Sequence, residues 1–481
     1  MQTNPKGRTK MTEIASNTEK IFDFFKEICD IPHISFNSGP ITDYLVNFAK
    51  ARGLEYVRDG ANNVIIYKKA TAGYENRPTV ILQGHTDMVE AKVPGCERDM
   101  SKYGVELIYD GDFIKANGTT LGADDGVAVA YMLAVLDGAD DIKHPSIEAV
   151  FTADEEPGLI GAKKLDKSLL DGRIMLNLDS DCEGEFIAAC AGGAGIEIKL
   201  NTEREACDKL YKIVIKDLIS GHSGADIHKG RESAIRLLFG LLSELEGTRI
   251  SSVKGGAADN VIPASVECVF GARNGLSDIL SRTDALKARV VDHEPNINVT
   301  ITEIADMCDA LTEKNSADLI NIITKMPNGV YKMSEYLENS VETSSNIGVI
   351  NTDGECVTVR CSVRSMIEAE KQNLIKIIID NATENGAMAK VLDGYPGWQF
   401  KTDSELQRTI KSTYKEMFGT DAVITSIHAG LECGVFSDAI PGLDCISFGP
   451  TAIGIHTVEE RLSASSFKRM YNFLVKLLKE I

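Results

Sequence analysis

Two adjacent carboxylates, Glu155 and Glu156, follow an apolar stretch that begins at Val150, and they precede Pro157-Gly158. An apolar strand that ends in charge and then in chain breakers places that charge at the edge of a sheet, where open α/β sheets bind ligands. Neighbouring carboxylates repel each other unless a positive charge separates their tasks. The pair therefore indicates one glutamate on a metal ion and the other free as a general base. A solvated acidic turn is the alternative.

A histidine and an aspartate two positions apart follow the strand predicted over residues 79–83. Residues two apart on an extended segment point to the same side, so His85 and Asp87 can act together. Asp87 can then fix the tautomer of the imidazole while the other ring nitrogen binds a metal ion. A lone His-x-Asp pattern is common, and it gains meaning only when other ligands lie nearby.

Further acidic side chains stand at the ends of predicted elements. Asp124 and Asp125 lie between a glycine-rich approach and an apolar helix predicted over residues 127–136. Acidic residues at such a position can serve simply as a helix cap and as partners of the helix dipole, and this interpretation is strongest for Asp125. A second buried-strand pattern, over residues 173–178, ends in Asp179.

Strands that alternate with helical segments indicate a parallel sheet, in which successive strand ends lie side by side. We therefore expect His85, Glu156 and Asp179 to converge at one edge of the sheet. His456 follows a later predicted strand; a solvated histidine is its ordinary interpretation, yet it lies where a last ligand would complete the edge. Imidazole mixed with carboxylates suits zinc, manganese or cobalt rather than calcium.

Length and charge narrow the class of protein. A chain of 481 residues with 43% hydrophobic residues is expected to fold as two or more globular domains. The formal charge of −20 argues against nucleic acid or an anionic membrane as a partner, and no apolar run approaches the length of a membrane span. Residues 1–10 are polar and basic, which is not typical of a secretory signal. Eleven cysteines without a CxxC pair suit a reducing compartment.

The pattern of predicted elements changes near Ala191, where the strands and helices of an open α+β arrangement begin. The pattern of the first part of the chain resumes after residue 392. We interpret this region as a second domain inserted into the first. Its last predicted strand covers residues 356–364, with Val363 facing inward and Ser362 and Arg364 on the outward polar face. Two glycine-rich loops, residues 220–224 and 255–260, carry few polar side chains. The simplest interpretation of their glycines is that they only allow the chain to turn.

Six motifs resemble, in order and spacing, those of the di-zinc aminoacyl-histidine dipeptidases. These are cytosolic nonspecific dipeptidases within the wider metallopeptidase family that includes aminoacylases and carboxypeptidases. The likeness covers nearly the whole chain from about Asn17. The motifs are Gly84-His85-Thr86-Asp87-Met88-Val89, Leu121-Gly122-Ala123-Asp124, Asp154-Glu155-Glu156-Pro157-Gly158, Asn177-Leu178-Asp179-Ser180, Gly221-His222-Ser223-Gly224-Ala225-Asp226-Ile227-His228 and His428-Ala429-Gly430-Leu431-Glu432-Cys433-Gly434.

The resemblance implies an α/β fold with a mostly parallel central sheet, helices on both of its faces and an inserted α+β lid domain. The expected catalytic domain comprises residues 1–190 and 393–481, and the lid comprises residues 191–392. The ligand assignment that the resemblance implies places one metal ion on His85 and Asp179, the other on Glu156 and His456, and Asp124 between the two ions.

The remaining roles implied by the resemblance belong to five residues. Glu155 would be the general base and Asp87 would orient the first histidine ligand. In the lid, His222 would polarise the scissile carbonyl, Asn260 would contact the substrate and Arg364 would bind a substrate carboxylate.

We therefore expect a cytoplasmic enzyme that hydrolyses Xaa-His or other dipeptides with a hydroxide bridging two metal ions, with zinc as the first choice and manganese or cobalt as alternatives. The expected partner is a small peptide substrate. A homodimer is possible, and the sequence leaves open whether His222 then acts in its own subunit or in the other one. Two alternatives are a related amidohydrolase acting on N-acyl amino acids and an inactive binding protein on the same fold.

Overall fold

The computed structural model describes residues 19–138, 142–207, 209–304 and 307–481, so the prediction for residues 1–10 lies outside it. The chain forms two compact units. Unit 1 comprises Met1–Ala189, Phe400–Ser426 and Leu431–Ile481, and unit 2 comprises Cys190–Gln399 and Ile427–Gly430.

Several helices begin at a serine or threonine whose hydroxyl accepts a backbone N–H of the first turn, which satisfies a donor that the helix itself cannot. None of the helices in the described ranges has the length and apolar character needed to cross a bilayer. The helices are α1 (Lys20–Cys29), α2 (Gly39–Arg52), α3 (Ala123–Asp137), α4 (Ile160–Lys164), α5 (Ala234–Ser243), α6 (Leu276–Val290), α7 (Glu313–Lys325), α8 (Glu368–Glu384), α9 (Glu405–Phe418), α10 (Glu432–Ala439) and α11 (Ala464–Glu480).

The strands are β1 (Glu55–Arg58), β2 (Val64–Lys68), β3 (Val80–His85), β4 (Leu107–Asp110), β5 (Phe113–Ala116), β6 (Ile147–Thr152), β7 (Ile174–Asn177), β8 (Glu185–Cys190), β9 (Gly192–Asn201), β10 (Arg204–Cys207), β11 (Leu210–Lys216), β12 (Gly221–His222), β13 (Arg249–Gly255), β14 (Val261–Ile262), β15 (Val266–Gly271), β16 (Asn298–Ile304), β17 (Cys308–Leu311), β18 (Gly329–Met333), β19 (Val341–Asp353), β20 (Cys356–Ser365), β21 (Met388–Tyr395), β22 (Val423–Ile427), β23 (Asp444–Ser447), β24 (Ala452–Ile453) and β25 (Arg461–Ser463).

The main sheet of unit 1 has the strand order β1-β2-β6-β3-β7-β23-β8-β22. Strands β6, β3, β7 and β23 pair in parallel, whereas β1 with β2, β2 with β6 and β23 with β8 pair antiparallel. Residues of β3 and β6 are almost wholly buried, as expected of central strands covered on both faces. The predicted mixed α/β class is confirmed.

The core of unit 1 is built around α3, whose residues are apolar and buried on all sides rather than along one stripe. Its Tyr131 ring stacks on Phe467 of α11 with ring centroids 4.9 Å apart. Two phenylalanines of α1, Phe22 and Phe25, contact the same Phe467 ring edge-on at 5.3 and 5.7 Å. The first and the last helix of the described chain therefore meet on one aromatic ring.

Unit 2 contains a nine-stranded sheet with the order β16-β11-β15-β13-β19-β20-β9-β21, and β18 pairs with β19 as well. Its described pairings are antiparallel. Four residues on adjacent strands of this sheet lie in register: Ser344 of β19, Arg364 of β20, Gly193 of β9 and Tyr395 of β21. We call these four residues the cross-strand row.

One prediction about β20 is wrong. Ser362 and Arg364 were expected on an outward polar face, but only 8% of Arg364 is exposed, and Ser362 is buried as well. The alternation of the strand is as predicted; the far end of the polar face is covered by other parts of unit 2, which a pattern within one strand cannot reveal. Arg360 on the same strand is exposed, as expected, and pairs with Glu197.

Removal of the Phe467 ring should destabilise unit 1. We expect Phe467→Ala to lower the free energy of unfolding by about 3 to 5 kcal/mol, because a wholly buried ring is replaced by a cavity. Thermal and denaturant unfolding measure the loss. The matched control is Phe36→Ala, since Phe36 is 74% exposed and its loss should change stability little. Equal effects of the two substitutions would contradict the central role of this ring.

Candidate active site

Three neighbouring parallel strands of unit 1 end beside the predicted ligands. His85 is the last residue of β3 and is paired in register with Thr152, the last residue of β6. Asp179 follows the end of β7 by two residues, and Glu156 follows the end of β6 by four. Because parallel strands bring their carboxyl ends to one edge, residues far apart in the sequence meet there.

A carboxylate lies between the two predicted histidine ligands. Asp124 Oδ1 is 2.9 Å from His85 Nε2, and Asp124 Oδ2 is 3.1 Å from His456 Nε2. Each histidine has a second carboxylate nearby: Asp179 Oδ1 is 3.9 Å from His85 Nε2, and Glu156 Oε2 is 3.1 Å from His456 Nε2. The structure therefore brings all five predicted ligands together as two triads that share Asp124.

Metal-ligand atoms in each triad lie within 4.8 Å of one another. A third such group joins His85 with Glu155 and Glu156, so the predicted base lies beside the ligands. Imidazole nitrogen mixed with carboxylate oxygen is a donor set that divalent transition metals and zinc accept. Glu156 Oε1 is buried and has no hydrogen-bond partner among the described residues. These residues fit a pair of divalent cations.

Asp87 contacts both His85 and the segment that carries the predicted base. His85 Nδ1 lies 2.9 Å from the main-chain oxygen of Asp87, whereas the Asp87 carboxylate is 3.5 Å away. The carboxylate also accepts the backbone N–H of Glu155 at 2.8 Å and the hydroxyl of Ser35 at 2.7 Å. A proton on Nδ1 directs the lone pair of Nε2 towards the triad. Asp87 thus contacts His85 through its main-chain oxygen and its carboxylate, and the carboxylate also holds the backbone of Glu155.

Burial and crowding perturb the titration of the site. Burial raises the pKa values of Glu155 and Asp179 well above their usual range, and neighbouring carboxylates add to the shift while His85 opposes it. Hydrogen bonds to Asp124 and Glu156 raise the pKa of His456 to about 10. Carboxylates crowded in this way favour a compensating positive charge.

Asp125 is not the helix cap that its position suggests. It is buried, and its Oδ2 accepts the backbone N–H of His85 at 3.1 Å. Below the ligands, Glu432 is wholly buried and accepts hydrogen bonds from Gln83 and from Thr152, the latter at 2.6 Å. Asn177 donates to Gln83 at 2.6 Å and extends this network across three strands. Glu432 belongs to a motif of the sequence, but its role could not be predicted because its partners lie more than 250 residues away.

Unit 2 brings two of the three predicted substrate-binding residues together. Arg364 Nη2 lies 3.5 Å from His222 Nε2, and Arg364 Nη1 donates to the Tyr395 hydroxyl at 2.8 Å. Within the described ranges the buried Nε of Arg364 has no hydrogen-bond partner. Tyr395 belongs to the cross-strand row, and the prediction did not include it.

The tautomer of His222 follows from its surroundings. The backbone N–H groups of Gly224 and Ala225 both point at His222 Nδ1, at 3.3 and 3.2 Å, so this nitrogen is an acceptor. Burial and the positive charge of Arg364 lower the pKa of His222, which favours the neutral ring. A neutral ring with an acceptor at Nδ1 carries its proton on Nε2. Two donors, Nε2–H and the guanidinium, therefore lie side by side, and an oxygen acceptor would satisfy both.

Asn260 lies next to this pair in the fold of unit 2. Its main-chain oxygen accepts the N–H of Ser223, and the following residue, Val261, pairs with His222 between β14 and β12. Asn346 donates to the main-chain oxygens on either side of Asn260, those of Asp259 and Val261, at 2.8 and 2.9 Å. The loop that carries Asn260 is thus fixed by a buried amide that sequence patterns did not indicate.

Comparisons with known proteins agree with the motifs. The sequence model of Peptidase family M20/M25/M40 matches residues 81–480. The cytosol non-specific dipeptidase of Escherichia coli (strain K12) is 34% identical over 484 residues, which cover 98% of this chain and 99% of that protein. The crystal structure of an aminoacylhistidine dipeptidase from Vibrio alginolyticus superimposes with a TM-score of 0.90 at 35% identity, covering 98% of both chains.

A tripeptidase from Staphylococcus aureus shares the fold alone, with a TM-score of 0.56 at 19% identity over 96% of this chain and 98% of that one. The family relationship inferred from the motifs is confirmed. The chain belongs to peptidase family M20/M25/M40.

Proposed function

We propose that the protein is a dipeptidase that works with two divalent metal ions. The observation that carries the proposal is the carboxylate of Asp124, whose two oxygens face His85 and His456 at 2.9 and 3.1 Å, each within its own triad. The names of the relatives from Escherichia coli and Vibrio alginolyticus support a dipeptide as the substrate.

His85, Asp179 and Asp124 would hold one ion, and Glu156, His456 and Asp124 would hold the other. Zinc is the first choice because it accepts both imidazole and carboxylate ligands, and manganese and cobalt share this preference. When bound, a pair of such ions supplies Lewis acidity, which lowers the pKa of water and polarises a carbonyl group.

Glu155 would be the general base. Its backbone is fixed by the Asp87 carboxylate, and its side chain lies beside the ligands without belonging to either triad. A carboxylate in this position can take a proton from the attacking water and deliver it to the leaving amine. The Asp87 carboxylate accepts the backbone N–H groups of Glu155 and Glu156 at 2.8 and 3.4 Å, so it fixes the backbone of the base and of the neighbouring ligand together.

Unit 2 would supply substrate binding. Arg364 is a buried cation whose partners, a hydroxyl and a neutral imidazole, carry no negative charge. A buried guanidinium without an anion is costly, and a planar fork matches the carboxylate at the C-terminus of a dipeptide. His222, with its proton on Nε2, would donate to the scissile carbonyl, and Asn260 would contact the substrate.

We retain the division into a catalytic domain of residues 1–190 and 393–481 and a lid of residues 191–392 as part of this proposal. The predicted cytoplasmic location agrees with the name of the Escherichia coli relative. A homodimer, and the action of His222 within one subunit or in its partner, belong to the same hypothesis and call for measurement of mass in solution.

The activity is tested on metal-free protein that is reloaded separately with zinc, manganese and cobalt. We expect hydrolysis of free dipeptides, including Xaa-His, only after reloading, because the site needs cations to bring its carboxylates together productively. Release of amino acids from a dipeptide panel is measured beside N-acetyl amino acids and tripeptides. Full activity of the metal-free protein, or a preference for N-acetyl amino acids, would overturn the proposal.

The control for this assay is Glu155→Gln. The amide keeps the shape of the side chain but cannot take a proton, so turnover should fall by at least about 100-fold while metal content stays at the wild-type level. Loss of metal together with loss of turnover would assign Glu155 to the ligands instead.

Asp124→Asn should weaken the binding of both ions, because the substituted carboxylate faces both histidines. We expect an affinity loss of more than about 100-fold, beyond what removal of an outer hydrogen-bond partner costs. Elemental analysis after dialysis against buffered zinc measures it. The matched control is Asp403→Asn, since Asp403 is a highly exposed aspartate of unit 1. Two ions bound normally by Asp124→Asn would refute the shared role.

Arg364→Lys should raise KM and lower kcat/KM for dipeptides by more than about tenfold, the scale of one lost charge-assisted hydrogen bond of about 1.5 to 3 kcal/mol. A C-terminally amidated dipeptide should be affected little, since it has no carboxylate to lose. Arg360→Lys, on the exposed part of the same strand, is the control. Equal losses on free and amidated substrates would show that Arg364 does not recognise the carboxylate.

A further inference from the structure

The carboxylate of Glu460 accepts four consecutive backbone N–H groups. Oε2 accepts those of Leu121 and Gly122 at 2.7 and 3.0 Å, and Oε1 accepts those of Ala123 and Asp124 at 2.8 and 3.3 Å. The side chain is only 3% exposed. A carboxylate has about four lone-pair positions that accept hydrogen bonds, so the four N–H groups occupy its full acceptor capacity.

These N–H groups belong to the segment at the start of α3, where the helix itself offers them no hydrogen-bond acceptor. Gly122 has a left-handed backbone with φ of +77°, and Asp124 and Asp125 depart from helical dihedral angles with ψ of 104° and 37°. The first N–H groups of a helix have no partner within it, so an external acceptor must satisfy them. Glu460 is that acceptor, and the segment that it fixes carries the shared carboxylate of Asp124.

Glu460 also lies in the loop that carries His456. The loop closes between β24 and β25, which pair at Ile453 and Arg461. Within it the N–H of Glu460 donates to the main-chain oxygen of Thr457, and the N–H of Thr457 donates to that of Gly454, both at 3.2 Å. His456 itself has a left-handed backbone with φ of +63°. The loop is therefore a compact turn, and Glu460 anchors it to the Asp124 segment.

We propose that Glu460 is a positioning residue that sets the separation between His456 and Asp124 and thereby the affinity of one of the two metal sites. This inference rests on the proposed function. His85 ends a central strand and Asp179 closely follows another, so the sheet holds them. His456 lies in a loop, and the contact of Glu460 ties this loop to Asp124. Loss of Glu460 should consequently weaken the triad of Asp124, Glu156 and His456 more than the triad of His85, Asp124 and Asp179.

The test is Glu460→Gln in the full-length protein, titrated with zinc after metal removal. The amide has nearly the same volume, but its NH2 group faces backbone N–H groups where the carboxylate offered an acceptor. We expect one ion to bind with near wild-type affinity and the second about 10- to 100-fold more weakly, the range typical of lost outer partners of metal ligands. Zinc stoichiometry and affinity are measured together with the melting temperature of the metal-free protein.

Two further variants separate positioning from general stability. Glu148→Gln is the matched control, because Glu148 is a buried glutamate of unit 1 that accepts the backbone N–H groups of Asp171 and Gly172 at 2.9 and 3.1 Å. It should lower the melting temperature, because two backbone donors lose their acceptor, and leave both zinc affinities unchanged. Glu460→Asp keeps the charge on a shorter side chain, and its second zinc affinity should lie between those of the wild type and Glu460→Gln.

The outcomes are distinct. Two ions bound by Glu460→Gln with unchanged affinities would overturn the role of Glu460 while leaving the proposed function intact. Equal weakening of both ions, with a larger fall in melting temperature than Glu148→Gln causes, would also overturn it by showing a purely structural role. A wild-type chain that binds no zinc, manganese or cobalt would overturn the proposed function itself, and this inference with it.

Discussion

Repulsion among half-buried carboxylates is the constraint on which the rest of the protein depends. Asp124, Glu155, Glu156 and Asp179 lie around two histidines, and burial raises the pKa values of Glu155 and Asp179. Such a group persists only where a framework with its own stability holds it and where cations compensate the charge. The apolar strands and the aromatic core of unit 1 provide the first condition, and the ligand geometry fits the second.

The site is held by two different means. Parallel strands fix His85 and place Asp179 near it through register, so these residues inherit the rigidity of the sheet. Asp124 and His456 depend on local contacts at a helix start and in a turn. In unit 2, by contrast, the guanidinium of Arg364 is buried against two neutral partners, and neither of them carries a negative charge. Proteins commonly use such unsatisfied groups where a ligand completes them.

The sequence was most informative where chemistry is carried by local patterns. Strand ends followed by His85, Glu156 and Asp179 predicted their meeting, since a parallel sheet brings such ends together. The burial of Arg364, the bond of Asp125 to His85, and the roles of Tyr395 and Glu460 were not predicted. Each depends on a partner from a distant part of the chain, and no periodicity within one element reports that. The family motifs supplied the site roles without their supporting contacts.

The cross-strand row has a consequence for errors in the register with which the strands of unit 2 pair. A Cβ atom on Gly193 would lie 2.7 Å from the Tyr395 ring, so the hydroxyl that steadies Arg364 depends on a bare backbone between the two strands. A slip of β9 by one residue that placed Ala194 opposite Tyr395 would put a methyl group against this ring. A chain misaligned in this way could remain compact while its guanidinium was misdirected. Gly193 thus disfavours the register in which Ala194 would lie opposite Tyr395.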